Sequence, residues 1–187
     1  MNTSELYKSH SFDTNCSDDE ESISKEINIS QKLIEIISST LKQIIKENKK
    51  QKKSKKEFDK IFSHSREPEI SLFDYLSRIH KYSNINDSTL IISLIYIDRI
   101  CKNKGVKLTK YNIHRILFIS ILISIKFNEE KIYPNSFYSK IAGISIKELI
   151  KLESAFLKLI DFKLYISEEI YNIYSTYLYS FDKISNN

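Results

Sequence analysis

Glycine occurs at only two positions in this 187-residue chain, Gly105 and Gly143, and that scarcity constrains the fold more than any other feature. A dinucleotide-binding turn needs three closely spaced glycines and a P-loop needs two ahead of its lysine, so neither phosphate cradle can be built. Tight hairpin turns draw on glycine and proline, and two of each argue against an all-β sandwich. Two cysteines, Cys16 and Cys101, support neither a disulfide framework nor a thiolate zinc site. The reading left standing is all-α and about one domain, long enough to bury a core.

Ile, Lys, Asn, Ser and Tyr are heavily used and Trp is absent, the bias of A/T-rich codons. Lysine and asparagine runs therefore carry less information than usual. The formal charge of +5 is modest. Behind Met1 the chain is polar and acidic, unlike a secretory signal. The uncharged runs Ser88–Ile97 and Ile116–Ile125 are ten residues each, about half of what spans a bilayer. The expectation is an intracellular protein, in cytoplasm or nucleus, with no membrane partner and reduced thiols.

Residues 1–27 carry seven acids against two lysines and almost no periodic apolar residues, which predicts a disordered acidic tail. A flanking helix is expected over 28–47, where Leu33, Ile34, Ile37, Leu41, Ile44 and Ile45 form one stripe. Residues 48–64 read as a basic linker, because Lys46–Lys56 holds seven lysines and one glutamate. Three readings compete for that run: a solvated linker, a nuclear-localisation or nucleic-acid patch, and a degradation signal spelled by Lys46-Glu47-Asn48. No aromatic is interleaved for base stacking and no arginine for base edges, which weakens the nucleic-acid idea.

Residues 65–180 read as densely helical. Pro68 fits a first start, with Ile70, Phe73, Leu76 and Ile79 on one face. Asp87 or Ser88 opens a second helix to about Lys102, and Thr109 is placed to cap a third, with Leu108 and Ile113 as a staple. The third is apolar all round from Ile116 to Ile125 and is expected at the centre of a bundle. Asn135 can cap a short fourth helix that Gly143 stops. Ser145 through Glu148 spells a capping box for a fifth, running to about Ile160, and Ser167 opens a sixth.

Chemistry should show where a residue disobeys its helix. On the fifth helix Leu149, Ile150, Leu152, Phe156, Leu157, Leu159 and Ile160 form an apolar arc, and Glu153 falls inside it. A carboxylate there must find a cation or donors. Lys126 is the first charge after the apolar run of the third helix, so a Lys126–Glu153 pair would satisfy both groups. Such a pair could face a partner or be purely internal. Asp98, in the apolar arc of the second helix, reads as a satisfied core carboxylate within reach of Arg78, Arg115 or His114. His10, His64, His80 and His114 show no metal-ligand spacing, and no HExxH, nucleophile elbow or Cys–His arrangement occurs. Glu129 and Glu130 are adjacent at a helix end and read as solvated. No catalytic residue, metal or cofactor is predicted, and the chain is not read as an enzyme.

Pro68 through Tyr82 resembles the opening of the cyclin box in P/U-type cyclins, the phosphate-system cyclins of fungi and their plant and protist relatives. Similar to that family are Tyr96-Ile97-Asp98-Arg99, Asn112 through Leu117, Lys126-Phe127 and Asn135 through Ser145. Glu148, Leu152-Glu153, Phe156-Leu157 and Phe162-x-Leu164 follow at the family spacing. The likeness is close over about 65–179, weaker over 28–62 and absent from the tail. It implies a single cyclin-box five-helix bundle with flanking N- and C-terminal helices, and a regulatory subunit that binds and activates a cyclin-dependent kinase as a heterodimer. It also implies kinase contacts at Lys126 and Glu153, apolar contacts at Phe127, Leu157, Phe162 and Leu164, and Glu129 on the polar rim. Asp98, Gly143, Ser145 and Glu148 are assigned structural roles.

This chain departs from the family in places. Where mitotic and S-phase cyclins carry an arginine for substrate docking on the first helix, this chain has Glu69, so Asp98 loses its usual arginine partner. None of the four arginines has a leucine three residues on, so no Arg-x-x-Leu destruction signal occurs. A cyclin-fold transcription adaptor is the alternative reading. It would need a basic face on the bundle, whereas much of the lysine excess lies in 46–56.

Overall fold

The computed structural model describes residues 16–49 and 57–184. Eight helices are found there: α1 Cys16–Asn48, α2 Glu57–Phe62, α3 Leu72–Ser83, α4 Asp87–Lys104, α5 Ile113–Asn128, α6 Asn135–Ala142, α7 Ile146–Leu159 and α8 Glu168–Ile184. No strand occurs among the described residues, and the all-α bundle expected from the sequence is the observed class.

The uncharged run Ile116–Ile125 is buried throughout, and α5 touches α2, α3, α4 and α7. A helix with no polar face can avoid water only by being surrounded. Its two hydroxyls are satisfied inside: Ser120 Oγ donates to the Leu117 carbonyl at 2.8 Å and Ser124 Oγ to the Thr89 carbonyl at 3.1 Å. Around this axis α3, α4, α6 and α7 complete five helices. Helix α1 lies against α3 and α8, and α8 against α4, so the flanking helices pack on each other as well as on the bundle.

Several boundaries differ from expectation. Helix α1 begins at Cys16, not Asn28, so residues 16–27 of the predicted tail are helical. The acids at 18–21 stand near its N-terminus, where the helix dipole favours negative charge. Residues 1–15, most of the lysine run (50–56) and 185–187 lie outside the described residues. Lys46-Glu47-Asn48 forms the last turn of α1, with the Asn48 amide donating to the Leu108 carbonyl at 3.1 Å. The expected linker 48–64 contains α2, whose Phe62 is fully buried with its ring edge toward Phe156 at 6.4 Å. Six residues are too few to show a helical period, and tertiary docking supplies what propensity cannot.

Helix α3 starts at Leu72 rather than Pro68: Ser71 Oγ accepts from the Asp74 amide at 3.1 Å. Thr109 does not cap α5. A hydrogen-bonded turn at 109–112 intervenes, in which buried Asn112 accepts from the Thr109 amide at 2.8 Å and donates to the Lys107 carbonyl at 3.0 Å. Pro134 occupies the N-cap of α6, with Asn135 its first residue. Gly143 ends α6 in the left-handed region (φ 70), where a side chain is strained although nothing lies within 4 Å of an added Cβ. Ser145 caps α7, accepting from the Glu148 amide at 3.1 Å, but the box is not reciprocal, because the Glu148 carboxylate pairs with Arg115.

Asp98 corrects a further expectation. It is half-buried and faces α8, where Tyr174 donates to it at 2.5 Å, with Lys102 one turn along at 2.7 Å. The three groups expected to reach it are engaged elsewhere. Arg78 donates to the Lys140 carbonyl, Arg115 to the Ser63 carbonyl and Glu148, and a ring nitrogen of His114 contacts the Ile70 carbonyl at 3.0 Å.

Candidate docking face

Lys126 stands in the last turn of α5, and Glu153 on α7 is one step round from the buried Leu149, Leu152 and Phe156. Packing of α5 on α7 brings the two charges to 2.6 Å, with side chains 28% and 17% exposed. The pair expected from the helical wheel is therefore formed. It is desolvated enough for each charge to need the other, yet it reaches the surface.

Exposed apolar side chains lie at or just past the end of each of its two helices. Phe127, next to Lys126, is 52% exposed, and Phe162, in the turn after α7, is 66% exposed. Leu157 and Leu164 are half-buried against the core, and the Phe162 amide donates to the Leu157 carbonyl at 3.0 Å. Phe127, Phe162 and Leu164 line one cleft of about 520 Å³ together with Arg99, Lys104 and Tyr165. Leu157 supports the face from α7 without lining that cleft. Large exposed aromatics clustered beside a half-buried ion pair are the composition of a protein interface.

Glu129 takes a different position. Its carboxylate accepts from the Asn86 amide at 3.3 Å, the Asn86 side chain at 2.8 Å and the Thr89 hydroxyl. Asn86, the N-cap of α4, makes no side-chain cap bond to its own helix; Glu129 instead ties Asn86 and the Thr89 hydroxyl to the end of α5. The carboxylate read as solvated is engaged with α4.

Two features were not legible in the sequence. Ile150, assigned to the buried arc, is 52% exposed, and Ile146 is exposed as well. With Glu153 and Leu157 they fall at steps of four, three and four residues, one stripe of α7 at the edge of the core, exposed at Ile146 and Ile150 and partly buried at Glu153 and Leu157. That spacing is the signal that could have separated them from Leu149 and Leu152. Tyr165, also unassigned, is 76% exposed. Among the described residues no group of three His, Cys, Asp or Glu could hold a metal ion, and no helix is long and apolar enough to cross a membrane.

The cyclin family model matches residues 20–164. Cyclin-U4-1 of Arabidopsis thaliana is 31% identical over 153 residues, covering 80% of this chain and 76% of that protein. Cyclin-U4-2 of the same plant is 35% identical, over 78% of this chain and 69% of its own length. PHO85 cyclin-7 of Saccharomyces cerevisiae is 40% identical over 126 residues, 61% of this chain and 44% of the yeast protein. The match takes in the helices that build the docking face, and the relatives carry U-type and PHO85 cyclin names. The chain belongs to the cyclin family, in its P/U-type branch.

Proposed function

We propose that this chain is the regulatory subunit of a cyclin-dependent kinase, forming a heterodimer through the face around Lys126 and Glu153 and carrying no catalytic centre of its own. The observation that carries the reading is the Lys126–Glu153 pair at 2.6 Å beside exposed Phe127 and Phe162. An ion pair needed only for internal stability would not call for a rim of solvent-exposed aromatics. The pair offers polar atoms to a kinase's regulatory helix, while Phe127, Leu157, Phe162 and Leu164 bury its apolar side. Docking there would bias that helix inward and assemble the kinase's lysine–glutamate pair and metal site. Glu129 contributes by anchoring the end of α5 to α4. The family resemblance alone supports the further reading of cell-cycle or nutrient-linked control in the cytoplasm or nucleus.

The test is association of the full chain with a panel of recombinant cyclin-dependent kinases that includes PHO85, the name the yeast relative bears. The unaltered chain should retain at least one. Truncating one partner of a desolvated charge pair costs about 2–5 kcal/mol of binding, a loss of about 30-fold or more. Lys126→Ala alone, which leaves the Glu153 carboxylate unpaired, should therefore weaken retention by at least that factor. Lys126→Ala with Glu153→Ala, which removes the polar contacts of the face, should abolish it while the thermal melt stays cooperative. A folded double variant that binds as the unaltered chain does would refute the assignment.

A further inference from the structure

The turn joining α7 to α8 carries two aromatics of the docking face, and it is held both by its own backbone and by side chains from α4. In the backbone, the Phe162 amide donates to the Leu157 carbonyl at 3.0 Å and the Lys163 amide to the Ile160 carbonyl at 3.1 Å. Asp161 and Phe162 both have φ of 55°, the left-handed region. Aspartate tolerates that region, but a phenylalanine there is a genuine outlier that persists only where surroundings enforce it. The backbone bonds to the end of α7 supply part of that enforcement, and α4 adds the rest. Arg99 spans two carbonyls, donating through Nη1 to Lys163 at 2.8 Å and through Nη2 to Tyr165 at 3.0 Å. Tyr96, its side chain wholly buried, donates its hydroxyl to the carbonyl between them, that of Leu164, at 2.9 Å. Lys104 reaches the Asp161 carboxylate at 2.8 Å.

Three successive carbonyls are thus drawn onto α4, while the side chains of Phe162 and Tyr165 stay turned to solvent. Closing a helix end needs far less than this. A segment that must be ordered before it can bind loses affinity to that ordering, and a segment ordered in advance does not. We propose that Tyr96 and Arg99 are positioning residues that pre-organise the 161–165 turn for kinase docking; this rests on the docking reading above. Arg99 suits the task because its planar fork fixes the spacing of two acceptors, which a lysine's single ammonium cannot do.

The experiment uses the full chain and the panel kinase that the unaltered chain retains. Tyr96→Phe deletes one hydroxyl and leaves the buried ring, and Arg99→Lys keeps the charge and removes the fork. Each should weaken kinase binding about tenfold, mostly through faster dissociation, as expected for a lost hydrogen bond of typical strength. Amides 162–164 should exchange hydrogen faster in the uncomplexed variants, with α5 amides unchanged. The discriminating arm is a double-mutant cycle: in a Phe162→Ala, Tyr165→Ala background the further effect of Tyr96→Phe on binding should vanish, because the clamp acts through those rings. Binding within about twofold of the unaltered chain in both variants, or full additivity in the cycle, would overturn the inference and leave the docking reading intact. If the panel retains no kinase at all, the docking reading falls and this inference falls with it.

Discussion

Tyr174 on α8 donates its hydroxyl to Asp98 on α4 at 2.5 Å, and this bond joins the C-terminal helix to the bundle across 76 residues of sequence. Burial first, then the hydrogen bond and charge of Asp98, hold the Tyr174 phenol well above its ordinary pKa, so it stays a donor at any physiological pH. Asp98 lacks the arginine that the family resemblance would give it, and a tyrosine with a flanking lysine takes that place. Tyr174→Phe should lower unfolding free energy by about 1 kcal/mol, since the carboxylate is partly solvated and keeps Lys102. Urea denaturation measures it. A change near zero would mean that water replaces the bond at no cost.

Glu129 and Asn86 suggest a second measurement. The carboxylate accepts from the Asn86 amide, the Asn86 side chain and the Thr89 hydroxyl, and losing a part-exposed hydrogen-bonding group of this kind costs about 1 kcal/mol. Glu129→Ala should reduce stability by that amount while kinase dissociation stays close to that of the unaltered chain. Faster dissociation with an unchanged melt would instead place Glu129 in direct contact with the kinase.

The histidines set a pH dependence. Burial holds His64, His80 and His114 below their ordinary value of 6.5. For His64 the charges of Arg115 and His114 add to it, whereas Asp87 opposes it at His80 and the Ile70 carbonyl opposes it at His114. An imidazole whose folded pKa is depressed takes up its proton more readily in the unfolded chain. Its stabilising contribution is complete above 6.5 and is lost as pH falls through the folded value. The melting temperature should therefore be level above about pH 7 and decline from about pH 6.5 downward. This precedes protonation of Glu67 and Asp161, which Lys110 and Lys104 hold below the usual carboxylate range. A melt that stays level down to about pH 5 would contradict the assignment.

Much of the candidate site was legible because it breaks a local rule. Glu153 is a charge within an apolar arc and Lys126 is the first charge after ten uncharged residues, so each had to find a partner. The Ser145 cap and the Gly143 stop were legible for a similar reason, since their partners lie within a few residues. Illegible were the other bonds that cross the bundle. Asp98 finds Tyr174 rather than Arg78, Arg115 or His114, because α4 turns that side to α8. Ile150 is apolar and correctly spaced for the core, yet it lies on a side of α7 that the described helices leave exposed.

By itself the sequence determined what local physics decides: an all-α chain, a central helix with no polar face, a helix stop at Gly143, and two misplaced charges that need each other. Only the tertiary structure decided that a six-residue helix docks through Phe62, that Glu129 bonds to the start of α4, and that Tyr96 and Arg99 grip a turn more than sixty residues away. The physical reason is range. Helical period and capping are set by neighbours three or four residues apart, whereas these contacts join residues from 40 to 94 positions apart that only the packed bundle brings together.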